Sequence, residues 1–341
     1  MENLNIFKSN TPNHRHASKS MRIYTNNHEI QCSCYSESRS FITRKYLQFI
    51  PRHSLLSCPR AAMWLSKCGP PRNADEIYQD LLESNFETPQ YLASVKQIEL
   101  DLNRTFPDEN YFSNKSKGKE ALRRVLLAFS KYDHVLGYVQ GMNFIVAALL
   151  WHSSEVDAFW LFIGLMEEYE LRDIYLPALP GLSKHCQIIQ LICLDLLPRL
   201  HTHFAEHRII SEMYAAEWCF TLFGSVVPVR EMVNILEQFF MKGWSFFYRI
   251  VIVLLGCLEE QLLAADDPIE ILGQLKICHQ SQKEWKSFMA VLDGGKRKLE
   301  WSELIERAMN LDLDDDYIKF LHRNFNAETR QFSLRKKHNN V

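Results

Sequence analysis

Glycine and proline are both scarce, at 12 residues each in a chain of 341, about half to two-thirds of average usage. A turn-rich all-β chain needs more of both. No apolar segment follows Met1, so there is no secretory pattern. Uncharged apolar runs such as Phe144–Trp151 and Ile250–Leu258 fall far short of the roughly 20 residues that span a bilayer. The nine cysteines are odd in number and scattered, several within apolar runs (Cys193, Cys219, Cys257). That distribution fits reduced, buried thiols better than a secreted disulfide framework. A cytoplasmic chain is expected, at most peripheral to a membrane.

Phosphate-binding loops are missing too. Gly118-Lys119 is followed by Glu120, and Gly294-Gly295-Lys296 has neither the earlier glycine nor the following Ser or Thr. The chain has no visible nucleotide pocket of its own, and no GxSxG elbow. Net charge is only −2, which argues against nucleic-acid binding through bulk charge. That balance hides an asymmetry. Residues 1–72 hold 11 Lys and Arg against 3 Asp and Glu, a net of +8, and the remainder carries −10. A basic leader of this kind is either a solvated tail or a contact for an anionic leaflet.

What is present is helix signal, in a chain 47% hydrophobic and 23% charged, values normal for a globular protein. Residues 1–52 show no sustained periodicity and read as a disordered leader. Beyond them, caps recur: Asn73 with Glu76, Thr88 before Pro89, Ser154 with Asp157, Asp267 with Glu270, Ser281 with Glu284. Apolar residues between them keep helical spacing, as in Leu122, Val125, Leu126 and Phe129. Pro198 ends the run that begins near Leu182. Ser225–Val229 is Val-rich but broken by Pro228, and reads as a connection. The expected fold class is all-α, with ten or more helices and no sheet. Residues 281–341 read as a polar helical extension ending in the basic Arg335-Lys336-Lys337.

Three metal signals fail. His201, His203 and His207 lack an HExxH context or a paired carboxylate. Cys32 and Cys34 have no second pair. The run Asp312, Asp314, Asp315, Asp316 resembles the start of a calcium loop, but Tyr317 stands at its obligatory glycine and Arg323 at its obligatory glutamate. No metal and no cofactor of the chain's own is expected.

Two segments remain: Ile98–Pro107 and Gly137–Asn143. In the first, Val95, Ile98 and Leu102 form one apolar stripe. Asp101 and Arg104 lie three apart, away from it, so Asp101 can hold Arg104 in a set direction. Pro107 forces the helix to stop near Phe106, which leaves Arg104 projecting from a helix end. On pattern alone this is more often a surface ion pair, and Tyr138 and Gln140 beside Gly141 a loop.

Ile98-x-x-Asp101-x-x-Arg104 and Tyr138-x-Gln140 resemble, letter for letter and at typical separation, the two signature motifs of the TBC domain family of Rab GTPase-activating proteins. Arg60 and Trp64 match its Arg-x-x-x-Trp. Leu122–Phe129, Glu217–Phe223 and Phe239–Val253 are similar to its helices, and the resemblance covers about residues 53–280. It implies a single large multi-helix domain over 53–280, with a motif-bearing core at about 53–246. It also implies a GTPase activator that completes a partner's active site rather than a free-standing hydrolase. Arg104 is then the arginine finger and Gln140 the glutamine finger. Asp101 and Tyr138 support them, with Trp64 in the core and Arg60 as a hydrogen-bond hub. The implied partner is a GTP-bound Rab-type GTPase of vesicle trafficking, which itself holds GTP and magnesium, and the implied place of action is endomembranes. The alternative is a catalytically silent adaptor of the same fold. Two departures stand out: Ser57-Cys58-Pro59 replaces the usual Gly-Ile-Pro, and Asn234, Leu236 and Glu237 replace Arg-x-Trp-Asp.

Overall fold

The computed structural model describes residues 58–275 and 300–325, together with the backbone of two short strands, 21–25 and 28–32. Helix α1 (Pro59–Cys68) begins on a proline and ends at Gly69, whose φ of 58° is the left-handed value that a helix C-terminus favours. Helix α2 is Ala74–Glu83. Helix α3 (Pro89–Leu102) starts where the Thr88 hydroxyl accepts the Tyr91 N–H at 3.1 Å. Helix α4 (Lys117–Tyr132) is capped by Ser116, and α6 (Glu155–Glu167) by Ser154. Between them lies α5 (Met142–Leu150). Asn73 makes no cap hydrogen bond to the start of α2, so that expected capping box is not formed. The Ser281 cap lies outside the described residues.

The second half continues with α7 (Arg172–Tyr175), α8 (Pro180–Leu196), α9 (Pro198–Glu206) and α10 (Glu212–Thr221). After these come α11 (Val229–Lys242), α12 (Trp244–Leu263), α13 (Pro268–Leu275), α14 (Trp301–Met309) and α15, residues 315–325. Pro198 separates α8 from α9 as expected, and residues 222–228 connect α10 to α11, with Val229, expected in the connection, starting the helix.

The interior explains the order of burial. Helices α5 and α6, and α12 as far as Leu255, are apolar almost all round and largely buried, as a central helix must be. Helix α4 instead buries one stripe, including Leu122, Val125, Leu126 and Phe129, against α3, α5 and α6. That packing brings the C-terminal end of α3 beside the turn that joins α4 to α5.

Two findings depart from expectation. Strands β1 (Met21–Thr25) and β2 (His28–Cys32) pair antiparallel, with Ile23 opposite Ile30. Their β-prone residues, separated only by Asn26-Asn27, suit a hairpin with a two-residue loop. The other departure is that residues 300–325 are not merely polar. Trp301, Leu304, Ala308, Leu313, Ile318 and Leu321 are buried. Arg249 of α12, itself 6% exposed, donates to the Leu311 carbonyl at 2.5 Å, to the Leu313 carbonyl, and to Asp315 at 2.9 Å. The acidic run is thus structural: Asp315 meets Arg249 and Ser245, Asp314 accepts the Asp316 N–H, and Asp316 pairs with Lys319. No group of three or more potential metal ligands occurs among the described residues. Nor is any helix among them long and apolar enough to cross a membrane.

Candidate functional site

Asp101 lies in the last turn of α3 and is fully buried. A buried carboxylate needs partners on both oxygens. Its Oδ1 meets an Arg104 terminal nitrogen at 2.6 Å and accepts from Gln97 Nε2 at 3.0 Å. Its Oδ2 accepts from the Tyr138 hydroxyl at 2.6 Å. One carboxylate therefore ties the residues after α3 to the turn before α5. The Arg104 side chain remains 49% exposed, so one nitrogen is held from below while the guanidinium faces solvent.

Tyr138 is buried, and burial together with the hydrogen bond to Asp101 pushes its phenol far above the ordinary range. It stays a neutral donor. The hydroxyl also lies 3.0 Å from Asn143 Oδ1, which accepts the Gly141 N–H at 3.1 Å. Asn143 Nδ2 donates to Thr105 Oγ1 at 2.8 Å, and that hydroxyl donates to the Asp101 carbonyl at 2.7 Å. The closed circuit Asp101–Tyr138–Asn143–Thr105 is buried at every member.

The turn itself is held at three points. Asp133 pairs with Arg172 at 2.6 Å and accepts the Leu136 N–H at 3.0 Å. Burial alone raises that carboxyl, but Arg172 and the Leu136 N–H outweigh it and hold it below the usual range. Gln90 donates to the Val135 carbonyl at 2.7 Å, and the Tyr138 N–H donates to Ser94 Oγ at 3.0 Å. Gly141 has a φ of 108°, and a Cβ there would come 2.9 Å from the Phe220 carbonyl oxygen; only glycine fits. Gln140 immediately precedes it, is exposed, and makes no side-chain hydrogen bond among the described residues.

The structure thus joins three expected residues, Asp101, Arg104 and Tyr138, and leaves Gln140 exposed two positions beyond the last of them. Arg60 and Trp64 belong elsewhere, on α1 against α6 and α11. Trp64 is core, stacked on Phe240 with ring centres 5.1 Å apart. The expected hub at Arg60 is a single ion pair with Glu237 at 2.9 Å, and its Nε is unpartnered. The departure at Glu237 therefore keeps a carboxylate for Arg60, and Leu236 is fully buried. Sequence reasoning missed Gln97, Ser94, Thr105 and Asn143. Gln97 and Thr105, at i−4 and i+4 from Asp101, left a local trace.

Comparison with known proteins fits this geometry. The family model described as the Rab-GTPase-TBC domain matches residues 57–263. The chain is 35% identical over 199 residues to Rab GTPase-activating protein eat-17 of Caenorhabditis elegans, covering 58% of this chain and 22% of that protein. It is 34% identical over 202 residues to TBC1 domain family member 2B of Mus musculus, covering 59% and 21%. The chain thus spans about a fifth of the length of these relatives. Among solved structures, the Chlamydomonas flagellar RabGAP TBC domain superposes with a TM-score of 0.54 at 25% identity, over 73% of this chain and 78% of that one. The Ypt/Rab-GAP domain of Gyp1p gives 0.55 at 18% identity, over 74% and 88%, a likeness of fold alone.

Proposed function

The chain belongs to the Rab-GTPase-TBC domain family, and we propose that it accelerates GTP hydrolysis by a Rab-type small GTPase, acting on the cytoplasmic face of endomembranes. The observation that carries this reading is the shared Asp101 carboxylate. It presents an exposed guanidinium and, through Tyr138, anchors the turn of an exposed carboxamide.

The chemistry follows from those two groups. During phosphoryl transfer, negative charge spreads over the phosphoryl oxygens, and a water must be aligned for attack. GTP and its magnesium stay with the partner. Arg104 supplies a planar, permanently charged group that can donate two parallel hydrogen bonds to those oxygens. Gln140 has a carbonyl that accepts from the water and an amide that donates to phosphate. Asp101 keeps the guanidinium aimed before the partner arrives, so little ordering remains for the encounter. An arginine finger is worth roughly 10³–10⁵ in rate, or about 4–7 kcal/mol of barrier; Ras with its activator is the source of that magnitude.

The test is single-turnover GTP hydrolysis across a panel of Rab-type GTPases, with binding measured alongside. At least one GTPase is expected to hydrolyse GTP many-fold faster. Binding without acceleration across the panel would make the chain a silent adaptor and overturn the proposal.

A further inference from the structure

Arg104 sits between two anchored neighbours. On its C-terminal side, Thr105 is bonded to the Asp101 carbonyl and to Asn143. On its N-terminal side, Asn103 is exposed and caps α3, and its Oδ1 accepts from Lys119 Nζ at 2.7 Å. The same ammonium donates to Asn114 Oδ1 at 2.7 Å. Asn103 and Asn114 lie at the two ends of the connection from α3 to α4. One side chain therefore clamps both ends of the segment that begins with Arg104.

The setting of Lys119 calls for an explanation. It is only 9% exposed, and no carboxylate pairs with it among the described residues. Lysines are rarely buried so deeply unless paired. It also occupies the first turn of α4, three residues after the Ser116 cap, where the helix dipole disfavours a cation. The C-terminal end of α3, where Asn103 stands, is the place that dipole favours one. Close packing fixes the start of the helix that carries it. Ser116 Oγ donates to the Tyr111 carbonyl at 2.6 Å, and a Cβ on Gly118 would come 2.3 Å from that same carbonyl oxygen.

We infer that Lys119 is a positioning residue for the arginine finger: its ammonium, holding Asn103 and Asn114, fixes the backbone from which Arg104 reaches the partner's nucleotide. The inference rests on the proposed GTPase-activating function. A misplacement of about 1 Å can cost as much as 100-fold in rate, so loss of the clamp matters at the chemical step more than at docking.

The test is Lys119→Met, which keeps the length of the side chain and removes the donors. With a GTPase that the unaltered protein stimulates, the maximal single-turnover rate falls about tenfold, while the half-saturating concentration stays within about twofold. Affinity for the GTPase loaded with GDP and aluminium fluoride falls to a similar degree. Affinity for the GTPase loaded with a non-hydrolysable GTP analogue does not. Asn103→Ala combined with Asn114→Ala removes the acceptors from exposed positions and serves if Lys119→Met does not fold; the same split is expected. Unchanged rates, or equal losses of affinity for both nucleotide states, overturn the inference while leaving the functional proposal standing. An unaltered protein inert toward every GTPase overturns both.

Discussion

Tyr138→Phe removes one oxygen from the centre of the site, and the consequence can be worked through. The ring and the Tyr138 N–H bond to Ser94 are unaffected. Asp101 Oδ1 keeps Arg104 and Gln97, but Oδ2 loses the hydroxyl that meets it at 2.6 Å. The carboxylate is fully buried, so water does not readily replace that donor. Hydrogen bonds to charged groups are worth about 1.5–3 kcal/mol, and a loss of about 2 kcal/mol lowers the melting temperature by roughly 4–8 °C in a domain of this size. Activity falls as well, because the freed lone pairs compete for the guanidinium that the partner needs. Thermal unfolding and single-turnover hydrolysis are measured on the same preparation. A phenylalanine variant that melts within about 1 °C of the wild type and stimulates hydrolysis equally would refute the idea that this carboxylate organises the site.

Two further outcomes are expected. Gly141→Ala places a side chain at a φ of 108° and 2.9 Å from the Phe220 carbonyl oxygen; it costs about 2 kcal/mol or more in stability and lowers stimulated hydrolysis by moving Gln140, and a variant matching wild type in both respects would show that the turn tolerates a Cβ. The third prediction concerns acid. Burial, and secondarily Arg60, holds His152 down at about 3, against about 6.5 in an unfolded chain. Native His152 is thus neutral where the unfolded chain takes up a proton, so its contribution is present above pH 6.5 and is lost as pH falls toward 3. His152→Gln removes one proton from that difference, and denaturant titrations from pH 7.5 to 5 then show a slope shallower by up to about 1.4 kcal/mol per pH unit. An identical slope would mean that native His152 titrates normally.

The parts legible from sequence are those written locally. Thr88 before Pro89, Ser154 before α6 and Pro198 between two helices each act within a few residues, and each does what its type predicts. Asp101 and Arg104 are bonded three positions apart as expected, although the helix ends at Leu102 rather than near Phe106 and Arg104 lies in the turn beyond it. What escaped is pairing between distant segments. Asn143 reaches Thr105 across 38 positions, and Arg60 reaches Glu237 from the other end of the domain. Nothing near either residue names its partner, because helix packing alone brings them together. The helix over Trp301–Met309 has helical spacing in Trp301, Leu304 and Ala308, yet its charged composition hid the fact that this face is covered by α12. The hairpin escaped for the opposite reason: five residues per strand are too few for a sustained pattern.

The account turns on two side chains presented to a nucleotide held by another protein. Single-turnover GTP hydrolysis by a responsive Rab-type GTPase, with wild-type protein, Arg104→Ala and Gln140→Ala each in excess, tests this most directly. Arg104→Ala should lose roughly 10³-fold or more of the stimulation while still folding, at a lower melting temperature because the buried Asp101 carboxylate loses its ion pair. Gln140→Ala should fall strongly even with a GTPase that retains its own switch glutamine. Stimulation by Arg104→Ala equal to that of the wild type would contradict the account outright.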